Sequence, residues 1–141
     1  MKIINQFGWV YYLDENKGSS LDDDKCGKWM YFFGDNEYAK GICKKAIEEN
    51  IVVQCKHTDA SEGVACFYLE VDDIKTHKLV IEFFIKNGLI RKTKTGKLYN
   101  ISFKLDNQTR AGEYGDTFST EIKLEKFVDL KSGDWIFEGG I

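Results

Sequence analysis

Lysine, arginine, threonine and tyrosine recur in this chain at spacings that could hold an anion. One cluster is Lys56-His57-Thr58-Asp59, which closes an apolar run. A second comprises Lys104, Asp106, Thr109, Arg110 and Tyr114, the last two within the glycine-containing stretch Arg110-Ala111-Gly112-Glu113-Tyr114-Gly115. Arginine offers a planar bidentate fork and lysine a point charge, and threonine and tyrosine hydroxyls can complete the shell around a phosphate. Together these residues predict a pocket for a phosphorylated ligand: a nucleotide, a small phosphate ester or a phosphopeptide. The same charges could instead solvate one face of a sheet. His57 sits at a strand end beside Lys56, where it could face solvent or a ligand. His77 falls on an apolar helical stripe and reads as a core or edge residue.

A third cluster, Arg91, Lys92, Lys94 and Lys97, lies in the tract RKTKTGK. It predicts an exposed basic turn that either contacts a protein or nucleic-acid partner or protects a sheet edge. Of nearby aromatics only Tyr99 and Phe103 are candidates for stacking on a single strand, and Phe103 reads as core.

Much chemistry is excluded. The chain has no GxSxG, P-loop, HExxH or GxGxxG pattern. Its four cysteines, Cys26, Cys43, Cys55 and Cys66, show no CxxC pair, so they read as buried thiols in a reducing compartment and not as a zinc site. No metal or cofactor is expected. The aspartates at 22–24 lack the alternating spacing and closing glutamate of a calcium loop. The net charge of −3 argues against a wholly electrostatic grip on nucleic acid. That charge is uneven, because residues 91–110 carry six basic side chains against Asp106 alone. No apolar run is long enough to span a bilayer and the N-terminus has no apolar signal core, so a cytoplasmic protein without membrane contact is expected. The absence of proline and the abundance of Lys, Ile and Asp suit a small phage or mobile-element protein, for which an anti-defence role against a host partner is an alternative reading.

Placing the candidate residues requires a scaffold. The 141 residues suit one domain. Residues 3–13 read as a strand or hairpin broken near Gly8, and residues 14–27 as a polar, acidic loop. Lys28 to Phe33 reads as an aromatic strand. Ala39, Ile42, Cys43, Ala46 and Ile47 line one face of a helix that starts near Asp35 and ends near Asn50. Residues 51–57 and 64–71 read as a hairpin whose second strand is central. A second helix, capped by Asp72 or Asp73, carries Ile74, His77, Ile81, Phe84 and Ile85 and ends at Asn87-Gly88. Tyr99 to Leu105 alternates as a half-wet strand, and short strands are expected around 118–124 and 135–137. The prediction is therefore an α+β fold, a mixed or antiparallel sheet with two helices packed on one face. Its N-terminal hairpin and acidic loop span 1–26, its core 27–115 and its C-terminal extension 116–141.

The series Gly27-Lys28-Trp29-Met30, a helix, Lys56 at a strand end, an apolar strand, and then Lys104-x-Asp106-x-x-Thr109-x-x-Gly112-x-Tyr114 resembles the basophilic-leukaemia-expressed protein family over residues 27–115. The resemblance implies an α+β fold similar to the cap-binding initiation factor and a distant likeness to the phosphothreonine lyases of bacterial effectors. Cys55-Lys56-His57-Thr58-Asp59 is similar to the strand-end Lys-x-Thr-Asp segment of those lyases. The likeness implies Lys56 as the base of a phosphate elimination, Lys28 and Arg110 as phosphate holders and Tyr68 as a lining residue. The effectors carry their leaving-group histidine on the strand after Lys28, where this chain has Trp29, Met30 and Tyr31. His57 is then the available substitute.

Overall fold

A computed structural model describes residues 1–16, 21–22, 24–106 and 122–138. The strands are β1 (Lys2–Gln6), β2 (Trp9–Leu13), β3 (Cys26–Phe33), β4 (Gln54–Thr58), β5 (Gly63–Glu70), β6 (Ser102–Leu105) and β7 (Ile122–Lys123). The helices are α1 (Asn36–Glu48) and α2 (Ile74–Lys86). The described strands form one sheet in the order β1-β2-β4-β5-β3-β6-β7, and every pairing is antiparallel. This is the α+β architecture expected from the hydrophobic pattern, with the purely antiparallel option realised. β5 is the middle strand, as its run Val64 to Leu69 requires.

Local chemistry sets the helix boundaries. The Asp35 carboxylate accepts from the Glu37 and Tyr38 amides and opens α1. Asp73 accepts from the Thr76 amide and opens α2. Each satisfies amide donors that a helix start leaves without partners. Gly88, at φ 67°, takes the left-handed turn that ends α2.

Strand alternation divides the sheet into two faces. Val10, Tyr12, Trp29, Phe33, Cys55, His57, Ala65, Phe67, Leu69 and Phe103 are buried beneath the helices in one core. Cys55 Sγ lies 3.5 Å from the Cys43 carbonyl of α1, and Phe67 packs edge-on against Phe84 of α2 at 5.2 Å. At Gly27, β3 leaves no room for a side chain against β6. A β-carbon there would sit 2.6 Å from the Lys104 carbonyl oxygen and 2.5 Å from Cζ of the Phe103 ring. The N-terminal hairpin belongs to this sheet, because β2 pairs with β4 along its full length. Among the described residues no helix is long and apolar enough to cross a membrane.

Candidate functional site

Among the described residues no helix packs on the opposite face of the sheet, and three of the predicted cations, Lys28, Lys56 and Lys104, project from it. Lys56 on β4 stands opposite Tyr11 of β2 and Cys66 of β5. Lys28 on β3 stands opposite Tyr68 of β5 and Lys104 of β6. Lys56, Tyr68, Lys28 and Lys104 therefore share one face across four adjacent strands, with neighbouring strands about 4.8 Å apart. Lysines at 28, 56 and 104, far apart in sequence, are brought together by register.

Their surroundings differ. The Lys56 ammonium lies 4.0 Å from the centroid of the Trp9 ring, 5.5 Å from Tyr11 and 5.8 Å from Tyr68. A half-buried cation held against three aromatic rings is stabilised by their negative faces, and Lys56 forms no ion pair among the described residues. Lys28 is paired: its Nζ donates to Asp106 Oδ1 at 2.7 Å, and both side chains are largely shielded. Asp106 thus enters the site as the counter-ion of Lys28. Lys104 is exposed.

Between the lysines lie Cys66 and Tyr68, both buried although no helix among the described residues packs on this face. Burial pushes the Cys66 thiol above its ordinary value, and Lys28 and Lys56 pull it back. Both ammonium groups therefore act on this one spot. Burial raises the Tyr68 hydroxyl strongly, and Cys66, Asp106, Cys26 and Tyr11 add to the effect. Tyr68 is consequently a neutral O–H group at any ordinary pH, able to donate to an anion.

His57 lies elsewhere. As the neighbour of Lys56 on a strand it points to the other face, where it is fully buried. Its Nδ1 donates to the Thr58 carbonyl at 2.8 Å, and its Nε2 meets the Tyr12 hydroxyl at 2.9 Å. The solvent-facing or ligand-facing position expected for His57 is thereby corrected, because strand alternation sends adjacent side chains to opposite faces. His57 and Lys56 share no surface. His77 is the core residue that its helical position implied: the Trp29 indole donates to Nδ1 at 3.0 Å, and Nε2 lies 3.0 Å from the Val71 carbonyl. Thr109, Arg110 and Tyr114 lie outside the described residues, as do residues 118–121 of the strand expected at 118–124, whose described part includes β7 at Ile122–Lys123.

The basic tract forms a hairpin tip, closed by the Thr93 amide donating to Lys97 at 2.7 Å and the Tyr99 amide to Arg91 at 2.9 Å. Arg91, Lys92, Lys94 and Lys97 are exposed on it, and none forms an ion pair among the described residues.

Trp9 and Tyr11 were not among the predicted site residues. Their signal was present in the alternation Trp9-Val10-Tyr11-Tyr12-Leu13, which sends Trp9 and Tyr11 to the same face. What local sequence does not state is that β2 pairs with β4 in the register that sets Tyr11 beside Lys56. No protein-family profile matches the chain, and no curated protein matches it.

Proposed function

We propose that this protein binds a phosphorylated small ligand, such as a nucleotide or phosphate ester, on the open face of its sheet. The observation that carries the reading is Lys56: a half-buried ammonium set among Trp9, Tyr11 and Tyr68 with no carboxylate partner among the described residues. Holding such a cation away from water is costly unless an anion completes its shell. Tyr68 adds a neutral donor, Lys28 and Lys104 add charge, and the aromatic rings offer apolar surface to the rest of the ligand. Phosphate elimination with Lys56 as base asks for more, since a proton must reach the departing phosphate and His57 is sealed on the other face.

Titration calorimetry against inorganic phosphate, mononucleotides, cyclic nucleotides and a phosphothreonine peptide tests the proposal. Wild type should bind at least one of these. Lys56→Met keeps the volume and removes the charge, and a lost charge-assisted hydrogen bond of about 1.5–3 kcal/mol corresponds to a loss of tenfold or more. Silence across the panel, or equal binding by Lys56→Met, would end the reading.

The four exposed cations of the 91–97 hairpin, without an ion pair among the described residues, favour a second reading, in which that tip contacts an anionic protein or nucleic acid. Its signature is affinity that falls steeply with salt and is lost when Lys92, Lys94 and Lys97 become glutamine while ligand binding at Lys56 is retained.

A further inference from the structure

The outer strand β1 is a sheet edge with few of the features that keep edges apart. Its neighbour is β2 on one side, and among the described residues no strand lies on the other. Its sequence, Lys-Ile-Ile-Asn-Gln, has one charge, no proline and no bulge, whereas natural edges are usually blunted by such devices. The opposite edge, β7, is only two residues long. Apolar side chains accompany the bare edge: Ile3 is 48% exposed, Met1 45% and Phe7 91%.

Phe7 is the sharper anomaly. With Gly8 it forms the two-residue loop between Gln6 and Trp9, and both residues have positive φ, 53° and 80°. Hairpin loops of this kind favour Asn, Asp or Gly at the first position, because a β-carbon is strained there. A bulky ring in left-handed backbone, exposed to water, gains nothing within one chain. Such local conflicts concentrate where another molecule repays them.

We infer that β1 pairs with β1 of a second copy of this chain, antiparallel and about a twofold axis at Ile4, with Phe7 as the apolar anchor. The strand is self-complementary in that register. Ile4 faces the second copy's Ile4, Ile3 faces its Asn5, Lys2 faces its Gln6, and Met1 faces its Phe7. The exposed apolar residues at the two ends meet, in a thioether–aromatic contact that is favourable, and no lysine opposes a lysine. Pairing of this symmetry uses the same patch on both copies and closes at two. The inference stands independently of the ligand site, since it uses none of Lys28, Lys56, Tyr68 and Lys104, and Lys2, Ile4 and Gln6 border that face only along its outer strand.

Sedimentation velocity across about 1 to 200 µM protein should show a concentration-dependent shift from monomer to dimer. Phe7→Asn supplies the residue the turn prefers, so it should weaken the dimer at least tenfold while raising the monomer Tm by about 3 °C. Those opposite movements separate a lost anchor from a damaged fold. Ile3→Glu should also weaken the dimer. Ile4→Cys should form a disulfide-linked dimer under mild oxidation that wild type does not, because directly opposed residues of antiparallel strands bring their β-carbons within about 5 Å. A wild type that stays monomeric throughout, association that grows past two, or a dimer indifferent to Phe7→Asn would overturn the inference.

Discussion

On the covered face of the sheet two histidines are buried completely, and each is hydrogen-bonded to one aromatic side chain and one main-chain carbonyl: His57 to Tyr12 and Thr58, His77 to Trp29 and Val71. On the open face two lysines are half-buried, and their partners are unequal: Lys28 has Asp106, whereas among the described residues Lys56 is held by aromatic rings with no carboxylate. Titratable groups on the first face have their hydrogen bonds satisfied internally, which locks packing. On the second face a cation keeps coordination capacity that an outside anion could fill. Polarity beneath the helices therefore serves the fold, and polarity on the bare face is available for binding.

The largest break in this contrast is Trp29→Ala. Trp29 is fully buried and touches His77, Phe103 and Phe127. Its loss should cost about 3–5 kcal/mol in urea unfolding, and His77 Nδ1 would lose its donor. A cost below about 1 kcal/mol would mean that this cluster does not organise the core.

His77 provides the next test. An indole N–H can only donate, so His77 must accept at Nδ1 and be neutral, in keeping with the burial that lowers its pKa against the weaker pull of the Val71 bond. A histidine with a depressed folded pKa binds fewer protons in the native state than in the unfolded one. Its contribution to stability is full above the unfolded value, near 6.5, and is lost as pH falls from there through the folded value, at up to about 1.4 kcal/mol per pH unit. His77→Gln keeps an acceptor and a donor without titrating. Stability curves of wild type and His77→Gln should therefore diverge below about pH 6.5. His77→Leu leaves the indole N–H without its acceptor and should cost about 1–3 kcal/mol at pH 7.5. Parallel pH curves for wild type and His77→Gln would show that the buried ring does not titrate in this range.

The scaffold was largely legible before the structure, because its information is local. Alternation marked the strands, the 3–4 spacing of Ala39 to Ile47 marked α1, and Asp35, the pair Asp72 or Asp73, and Gly88 marked helix ends. The site was legible in part. Residue type and spacing put Lys56 and Lys104 on the candidate list and the family resemblance added Lys28 and Tyr68, but their placement on one face depends on β5 lying between β4 and β3, a long-range pairing. His57 shows the limit of reading by proximity in sequence: one step along a strand is the full thickness of the sheet. Trp9 and Tyr11 show the converse, since they lie far from Lys56 in sequence and beside it in space.

Lys56→Met sharpens the contrast from the other side. Removing a cation whose surroundings are aromatic should change unfolding stability by less than about 1 kcal/mol, or raise it, because the charge no longer has to be kept from water. The same variant should lose anion affinity tenfold or more, by about 1.4 kcal/mol or above. A variant that unfolds easily would place Lys56 with the structural residues of the other face, and the proposed division of labour would fail.

The smallest effect concerns Asp106. Its carboxylate already holds the Lys28 ammonium at 2.7 Å, so an incoming phosphate must share Lys28 with it and meets a like charge nearby. Asp106→Asn keeps the shape and removes that competition. Since a partly shielded pair of this kind contributes about 0.2–1 kcal/mol, anion affinity should rise about two- to fivefold and stability should fall by less than about 1 kcal/mol. The gain should shrink as salt is added, because screening weakens the repulsion that was removed. Calorimetry of wild type and Asp106→Asn at two ionic strengths measures both effects. Weaker binding by Asp106→Asn would reverse its role: the carboxylate would then be positioning Lys28 for the ligand, and the open face would resemble the covered one in depending on internally satisfied pairs.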